Sequence, residues 1–466
     1  MATIRRITIL SSLLLLYFYG NAQFTAASWK GNLQINGITV PLIFHIHSKG
    51  QGLGASMESP SQSTTAFPID SVWTNGDSIF MLHTQLNIFY KGKYVELTDS
   101  IVGIFTQNGF DLPLHLGTYN SDEAGSLPVR PQTPSYDVDY NMEEVEIPNN
   151  DAHISLVGTL TMPRKKTKPT CIVLVSGSGP QNRDEELLGH KPFWVLADFL
   201  TRNGYAVLRY DDRGTAKSKG NYENATMDDL SSDAYAAVQY LQSRQDIGRI
   251  GMVGHSEGGG IVQQVAATHP VDIAFIVMLA GPGLRGDSMM LLQKKTMELQ
   301  MGLSPGIVAL NAAFIRPAYD TALQYPQWSH GLPKIKDYFF QAYEQLHPDW
   351  TDGKIVAELP KTTQAFTPEF YSILRFDPAQ YLPKVTCPLL ALNGSKDVQV
   401  LPTENLSTIQ SLTRQNKNVT AKELPGLNHL FQEADTGLPN EYGTITQTFS
   451  PVAMNCILEW LRNGGF

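Results

Sequence analysis

Between residues 171 and 279 the chain alternates short apolar runs with amphipathic ones, and this alternation constrains the fold more than any other feature. Cys171–Val175, Ile250–Gly254 and Ile273–Leu279 are continuously apolar, and Ala206–Tyr210 is so but for Arg209, as expected of strands buried on both faces. Between them, Lys191–Asn203, Met227–Gln245 and Glu257–His269 carry helical periodicity, and Asp228 and Asp229 give the second an acidic start. Such βα units predict an α/β fold, a doubly wound and mostly parallel sheet with helices on both faces. Ahead of them, Val145–Pro148 and Ile154–Met162 read as strands joined at Asn149-Asn150. The alternation stops near residue 285. Helical stretches such as Ser288–Leu299 and Lys334–Gln345, divided by prolines, run to about residue 380. Strands resume at Pro388–Asn393 and Val419–Leu424, and a helix from Pro451 to Arg462 closes the chain. Residues 285–380 therefore read as a helical cap inserted over the carboxyl edge of the strands, where open α/β sheets bind ligands.

A chain of 466 residues is too long for one ordinary domain. Residues 23–120 look all-β. Ile38–His47, Ile79–Phe89 and Tyr94–Phe105 alternate or are rich in β-branched and aromatic residues, with turns at Lys49-Gly50, Asn75-Gly76 and Asn108-Gly109. Trp29, Trp73, Phe89 and Tyr90 are expected in the core of this small domain, which reads as a structural cover or dimerisation surface ahead of a glycan binder; a homodimer is left open. Residues 121–135, with Gly125, Pro128, Pro131 and Pro134, read as a linker, and 136–466 as the catalytic domain.

Met1 to Arg6 carries two arginines and no acid, Ile7 to Tyr19 is apolar, and Gly20 and Ala22 are small. Residues 1–22 are thus expected to be a signal peptide, with export to the periplasm or the medium. The apolar run is shorter than the ~20 residues of a membrane span, so no integral span is expected after its removal. The formal charge is −9, and it becomes −11 without Arg5 and Arg6. An acidic chain with no basic run argues against a nucleic-acid partner. Cys171, Cys387 and Cys456 are odd in number and widely separated, so they read as buried small apolar residues; no metal-ligand spacing occurs.

Gly254-His255-Ser256-Glu257-Gly258 follows one of the buried strands and opens a helix. That is the setting of a nucleophile elbow, in which flanking glycines let strand and helix approach while the serine takes a strained conformation. A serine needs a base, and in such sheets the acid and then the histidine follow later strands. Asp397 is the first carboxylate after Leu389–Asn393, and His429 follows Val419–Leu424. Two backbone N–H groups must hold the oxyanion. Glu257 should supply one, and the loop after Val175 the other, from Ser178 or, as a fallback, Gly179. Gly177-Ser178-Gly179 lacks the third glycine of a dinucleotide fingerprint, since Asn182 and Pro180 intervene, so no cofactor is expected. Asp211-Asp212-Arg213-Gly214 reads as a buried Arg–Asp pair bracing loops.

These residues resemble the α/β-hydrolase superfamily. More narrowly, Gly177-Ser178-Gly179-Pro180-Gln181-Asn182-Arg183-Asp184, Tyr210 to Gly214, the elbow, Phe376-Asp377-Pro378 and Asn393 to Asp397 resemble secreted bacterial serine esterases. The likeness covers about residue 140 to the end. Trp29-Lys30-Gly31 and Met57-Glu58-Ser59-Pro60 resemble a β module often fused to such enzymes in Bacteroidetes. Ala216 stands where relatives usually have glycine. The resemblance implies a serine hydrolase acting on small-molecule esters through Ser256, His429 and Asp397. The alternatives are an aminopeptidase-like serine peptidase and an acyl thioesterase. A peptidase should show an acidic pair near the cap; Glu344, Glu358 and Glu369 are candidates, with nothing in the sequence to pair them.

Overall fold

A computed structural model describes residues 27–35, 38–50, 52–59, 66–84, 88–107, 110–120, 130–164 and 166–466. The expected signal peptide, the Asn108-Gly109 turn, Pro60 and residues 121–129 of the expected linker lie outside the described residues. The chain separates into two units, with residues 27–59 and 66–120 in the first and 130–466 in the second.

The first unit is an antiparallel sheet of β1 (Ala27–Ile35), β2 (Ile38–Lys49), β3 (Gly52–Glu58), β4 (Phe67–Pro68), β5 (Ser71–Asn75), β6 (Ser78–His83), β7 (Ile88–Val95), β8 (Ser100–Gln107) and β9 (Phe110–Tyr119). Its order is β4-β3-β2-β1-β9-β8-β7-β6-β5. Side chains alternate faces, and Trp29, Phe44, Ile79, Tyr90 and Phe105 point into one buried core. Two expected runs are each broken by a reversal. Ile79–Phe89 is β6 and part of β7, and Tyr94–Phe105 turns at Glu96–Thr98, with Asp99 left-handed at φ 43°. Trp73, expected in the core, is 43% exposed. It pairs across strands with Phe80 and stacks on it at 5.3 Å, while the inward pair beside them is Val72 and Met81. The period of two sends Trp73 outward; aromatic content alone does not choose a face.

The second unit begins with β10 (Asn141–Asn149), β11 (Ile154–Met162), β12 (Cys171–Val175), α1 (Pro192–Arg202), β13 (Ala206–Tyr210), α2 (Met227–Ser243), β14 (Ile250–His255), α3 (Glu257–Thr268) and β15 (Ile276–Leu279). It ends with β16 (Leu389–Gly394), α9 (Pro402–Leu412), β17 (Val419–Leu424) and α10 (Pro451–Asn463). The strand order is β10-β11-β13-β12-β14-β15-β16-β17. Only β10 to β11 and β11 to β13 pair antiparallel. β12 to β16 are buried along their whole length. Val173, Met252 and Met278 pack with α2 and α3 on one face. Ile172, Val253 and Val277 pack with Phe193 of α1 and Ile457 of α10 on the other. The outer strands are charged: β10 exposes Glu143, Glu144 and Glu146, and β17 exposes Lys422 and Glu423. α2 starts on a capping box between Thr226 and Asp229, a device worth about 1 kcal/mol.

The inserted segment is helical throughout: α4 (Gly286–Gln300), α5 (Pro305–Gln324), α6 (Trp328–Leu346), α7 (Asp352–Thr363) and α8 (Pro368–Arg375). It has its own core of Ile335, Phe339, Phe366, Tyr371 and Leu374. Pro317, Pro333 and Pro360 lie inside helices and do not divide them. A proline costs a helix one hydrogen bond, and here packing on both sides carries the helix past it. The end of the expected linker is tied down. Arg130 donates to the carbonyls of Leu188 (2.8 Å), Gly443 (2.9 Å) and Ile445, and the Gln132 amide bonds Phe449 O at 2.7 Å. No described helix is long and apolar enough to cross a membrane.

Candidate active site

β14 passes into α3 through Ser256, which sits at φ 52°, ψ −119°. A non-glycine residue holds that conformation only when its surroundings enforce it. Ser256 N–H donates to Leu279 O at 2.9 Å. A side chain on Gly254 would strike the Gly258 carbonyl, and one on Gly258 the carbonyls of Val175 and Ser176. The two glycines thus allow the close crossing that leaves the serine at the helix N-terminus, where developing negative charge is favoured.

Asp397 and His429 stand on the loops after β16 and β17, the second and third strands beyond β14 in the sheet. His429 Nδ1 meets Asp397 Oδ2 at 2.8 Å, with both side chains buried. Asp397 Oδ1 accepts the backbone N–H groups of Gln399 (2.8 Å) and Val400 (2.9 Å), which fixes the carboxylate. With Nδ1–H committed to Asp397, His429 keeps Nε2 as its acceptor.

A second histidine braces the first. Both ring nitrogens of buried His255 face acceptors: Nδ1 the Glu185 carboxylate at 2.9 Å, and Nε2 the His429 carbonyl at 3.0 Å. A ring with two acceptors carries two protons. Burial works against that charge, but the Glu185 carboxylate, the His429 carbonyl and the Asp397 charge together raise the His255 pKa. Glu185 also accepts Gly177 N–H at 2.7 Å. Sequence alone assigns neither residue this bracing role. Glu185 lies 70 positions from His255, and only its place in the acidic run after Arg183 hinted at it.

The loop after β12 spends four of its amides on carboxylates. Gly177 donates to Glu185, Gly179 to Glu369 Oε1 (2.7 Å), Gln181 to Asp212 (2.9 Å) and Arg183 to Asp211 (2.8 Å). The Ser178 and Glu257 amides donate to no protein acceptor among the described residues. The fallback donor Gly179 is therefore already engaged, whereas Ser178 is not. The bracing expected of the Asp211-Asp212-Arg213 turn is present, with other partners. Arg213 pairs with Asp233 (2.6 Å) and Asp229 (3.0 Å), and Asp211 with Arg183 (2.7 Å). Ala216 is left-handed at φ 46°, a conformation that glycine adopts at lower cost.

Ser178, Ser256 and Glu257 line a cavity of about 310 Å³, which the cap closes with Met289, Met290, Phe370 and Ile373. Of the cap acids, Glu344 is exposed and Glu358 pairs with Lys361 at 2.7 Å. Glu369 reaches the cavity. Its Oε1 accepts from Gly179 N–H and from Tyr222 O–H at 2.6 Å, and its carboxyl meets that of Glu257. Burial, then the Glu369 charge, push the Glu257 carboxyl well above the usual range. The arrangement can run nucleophilic acyl chemistry: a strained serine and two unspent amides line one cavity, and an oriented imidazole stands on a loop at the same end of the sheet.

A sheet of this order, with a strained serine between β14 and α3 and an insertion after β15, is the α/β-hydrolase fold. Residues 193–338 match a family model described as serine aminopeptidase, S33, and residues 350–450 one described as prolyl oligopeptidase family. Esterase EstD of Thermotoga maritima is 27% identical over 314 residues, 67% of this chain and 66% of its own length. A non-heme chloroperoxidase of Burkholderia pyrrocinia is 29% identical over 114 residues, 23% of this chain and 39% of its own. The chain thus spans just under two thirds of the esterase and well under half of the chloroperoxidase. Among solved structures, an esterase of Pyrococcus furiosus is 16% identical, with a TM-score of 0.42 over 70% of this chain and 94% of that one.

Proposed function

We propose that this chain is a serine hydrolase that cleaves carboxylic esters of small molecules through an acyl-enzyme. One observation carries the reading: the buried 2.8 Å pair of His429 and Asp397, on the loops after consecutive parallel strands, with a strained Ser256 two strands before. Ser256 Oγ attacks the acyl carbonyl, and His429 Nε2 takes its proton. Asp397 holds the imidazolium, and the Ser178 and Glu257 amides bind the tetrahedral oxyanion. The alcohol leaves with the proton from His429, and water, activated by the same nitrogen, releases the acid. The likeness to esterase EstD supports an ester substrate. The test is Ser256→Ala with a fluorophosphonate probe and a short-chain aryl ester. Labelling and turnover should both vanish, and their retention overturns the assignment.

A second reading, a peptidase on the same residues, gains from the contact of Glu369 with Glu257 inside the cavity, an acidic pair of the kind that binds a substrate ammonium group. Turnover of an aminoacyl-anilide well above that of the aryl ester would favour it. Residues 1–22 are proposed to direct export to the periplasm or the medium; fractionation of cells producing the full chain, with N-terminal sequencing of the product, tests this.

A further inference from the structure

The contact between Glu257 and Glu369 does more than add acidity. The Glu257 side chain is buried, and neither of its oxygens has a hydrogen-bond donor facing it. The Glu369 carboxyl lines the same cavity and raises the Glu257 pKa, and two neighbouring carboxyls share a hydrogen bond only when one of them carries a proton. Glu369 is the acceptor, because its Oε1 already takes the Gly179 N–H (2.7 Å) and the Tyr222 O–H (2.6 Å). Glu257 therefore supplies the proton. Its side chain follows the serine directly, and its own backbone N–H is one of the proposed oxyanion donors. Gly179 adjoins Ser178, the other donor. Glu369 lies on α8, in the cap.

We propose that Glu369 is a positioning residue that ties cap helix α8 to both sides of the oxyanion hole, through Gly179 and through the proton it shares with Glu257, and that the tie holds only while that proton is present. The inference rests on the hydrolase reading above. The groups facing the pair are Tyr222 and Asp212, both on the segment between β13 and α2, and no lysine, arginine or histidine lines the cavity among the described residues. Loss of the shared proton therefore leaves two like charges in contact with no cation to offset them. Glu369 then leaves Gly179, the loop that presents Ser178 loosens, and the second negative charge opposes the oxyanion.

The test is kcat and KM for an aryl ester from about pH 6 to 10, with thermal melting to verify folding and fluorophosphonate labelling to report Ser256. Wild-type kcat should fall on the alkaline side while KM changes less. Glu257→Gln, which still donates to Glu369 but cannot ionise, should lose that fall. Glu369→Ala should lower kcat about 10- to 100-fold, less than or comparable to the loss of one oxyanion donor. Glu369→Gln, which keeps an acceptor for Gly179 and Tyr222, should recover most of it. If Glu369→Ala does not fold, Tyr222→Phe should lower kcat in the same sense. An alkaline fall that survives in Glu257→Gln, no fall in the wild type, or wild-type kcat in Glu369→Ala or Tyr222→Phe overturns the inference. A wild type that neither labels nor turns over the ester overturns the hydrolase reading instead.

Discussion

Asp397 holds one position with two backbone amides and offers its other oxygen to His429. Asp397→Asn preserves the shape but places an amide where a carboxylate must accept Nδ1–H, so the ring is driven toward the wrong tautomer. The expected result is a kcat lower by about 10⁴ with KM little changed, read from steady-state ester hydrolysis. Ser256, Asp397 and His429 were legible in the sequence because topology places each after a strand, and strands this apolar announce themselves. Glu369 was legible only as one of three candidate cap acids without a partner, and Glu185 and His255 were not. Their roles depend on partners brought together by folding, such as Glu369 on the cap against Gly179 on the loop after β12. No local pattern marks such a meeting, and the place of His255 beside the serine is what lets its ring brace the His429 loop.

At the level of elements, α4 starts where there is no room for a side chain. A Cβ on Gly286 would strike the Ile373 carbonyl of α8. Gly286→Ala should force the two cap helices apart, cost about 1–3 kcal/mol and lower kcat/KM, as urea unfolding and ester assays will show. The start of α1 is anchored differently. His190 is buried, with Nε2 against Tyr442 O at 3.0 Å and Nδ1 against the Thr448 hydroxyl at 2.9 Å. Burial pushes its pKa down to about 4, from an ordinary 6.5. Between those values the unfolded chain binds a proton that the fold refuses, so stability rises with pH there and is lost as pH falls from 6.5 toward 4. His190→Gln should lose less stability than the wild type between about pH 7 and pH 4.5, measured by urea unfolding. The cap was legible as helical but not as these helices. Pro317, Pro333 and Pro360 read as breaks, and only packing around Phe339 and Phe366 shows why they are not.

On the scale of the whole molecule, among the described residues the core of the first unit draws on residues 27–116 and the cores of the second on residues 145–466. Arg130 and Gln132 bind carbonyls of the second unit, so a chain begun near residue 125 keeps them and one begun near 135 does not. Arg130→Met leaves the carbonyls of Leu188, Gly443 and Ile445 without their donor. It should destabilise the second unit by about 1–3 kcal/mol, seen as a lower melting temperature. The split between an all-β front and an α/β remainder was visible in the switch of period, but the point where the chain rejoins a fold was not, because Pro131 and Pro134 look like linker whether or not a neighbouring arginine is clamped. The glutamates of β10 and the Lys422 and Glu423 pair of β17 have a consequence for crowding. A second molecule sliding up to either margin of the parallel sheet would have to bury charge in order to extend it. Charge on both margins therefore disfavours strand-to-strand zipping between copies of this unit at high concentration or during refolding.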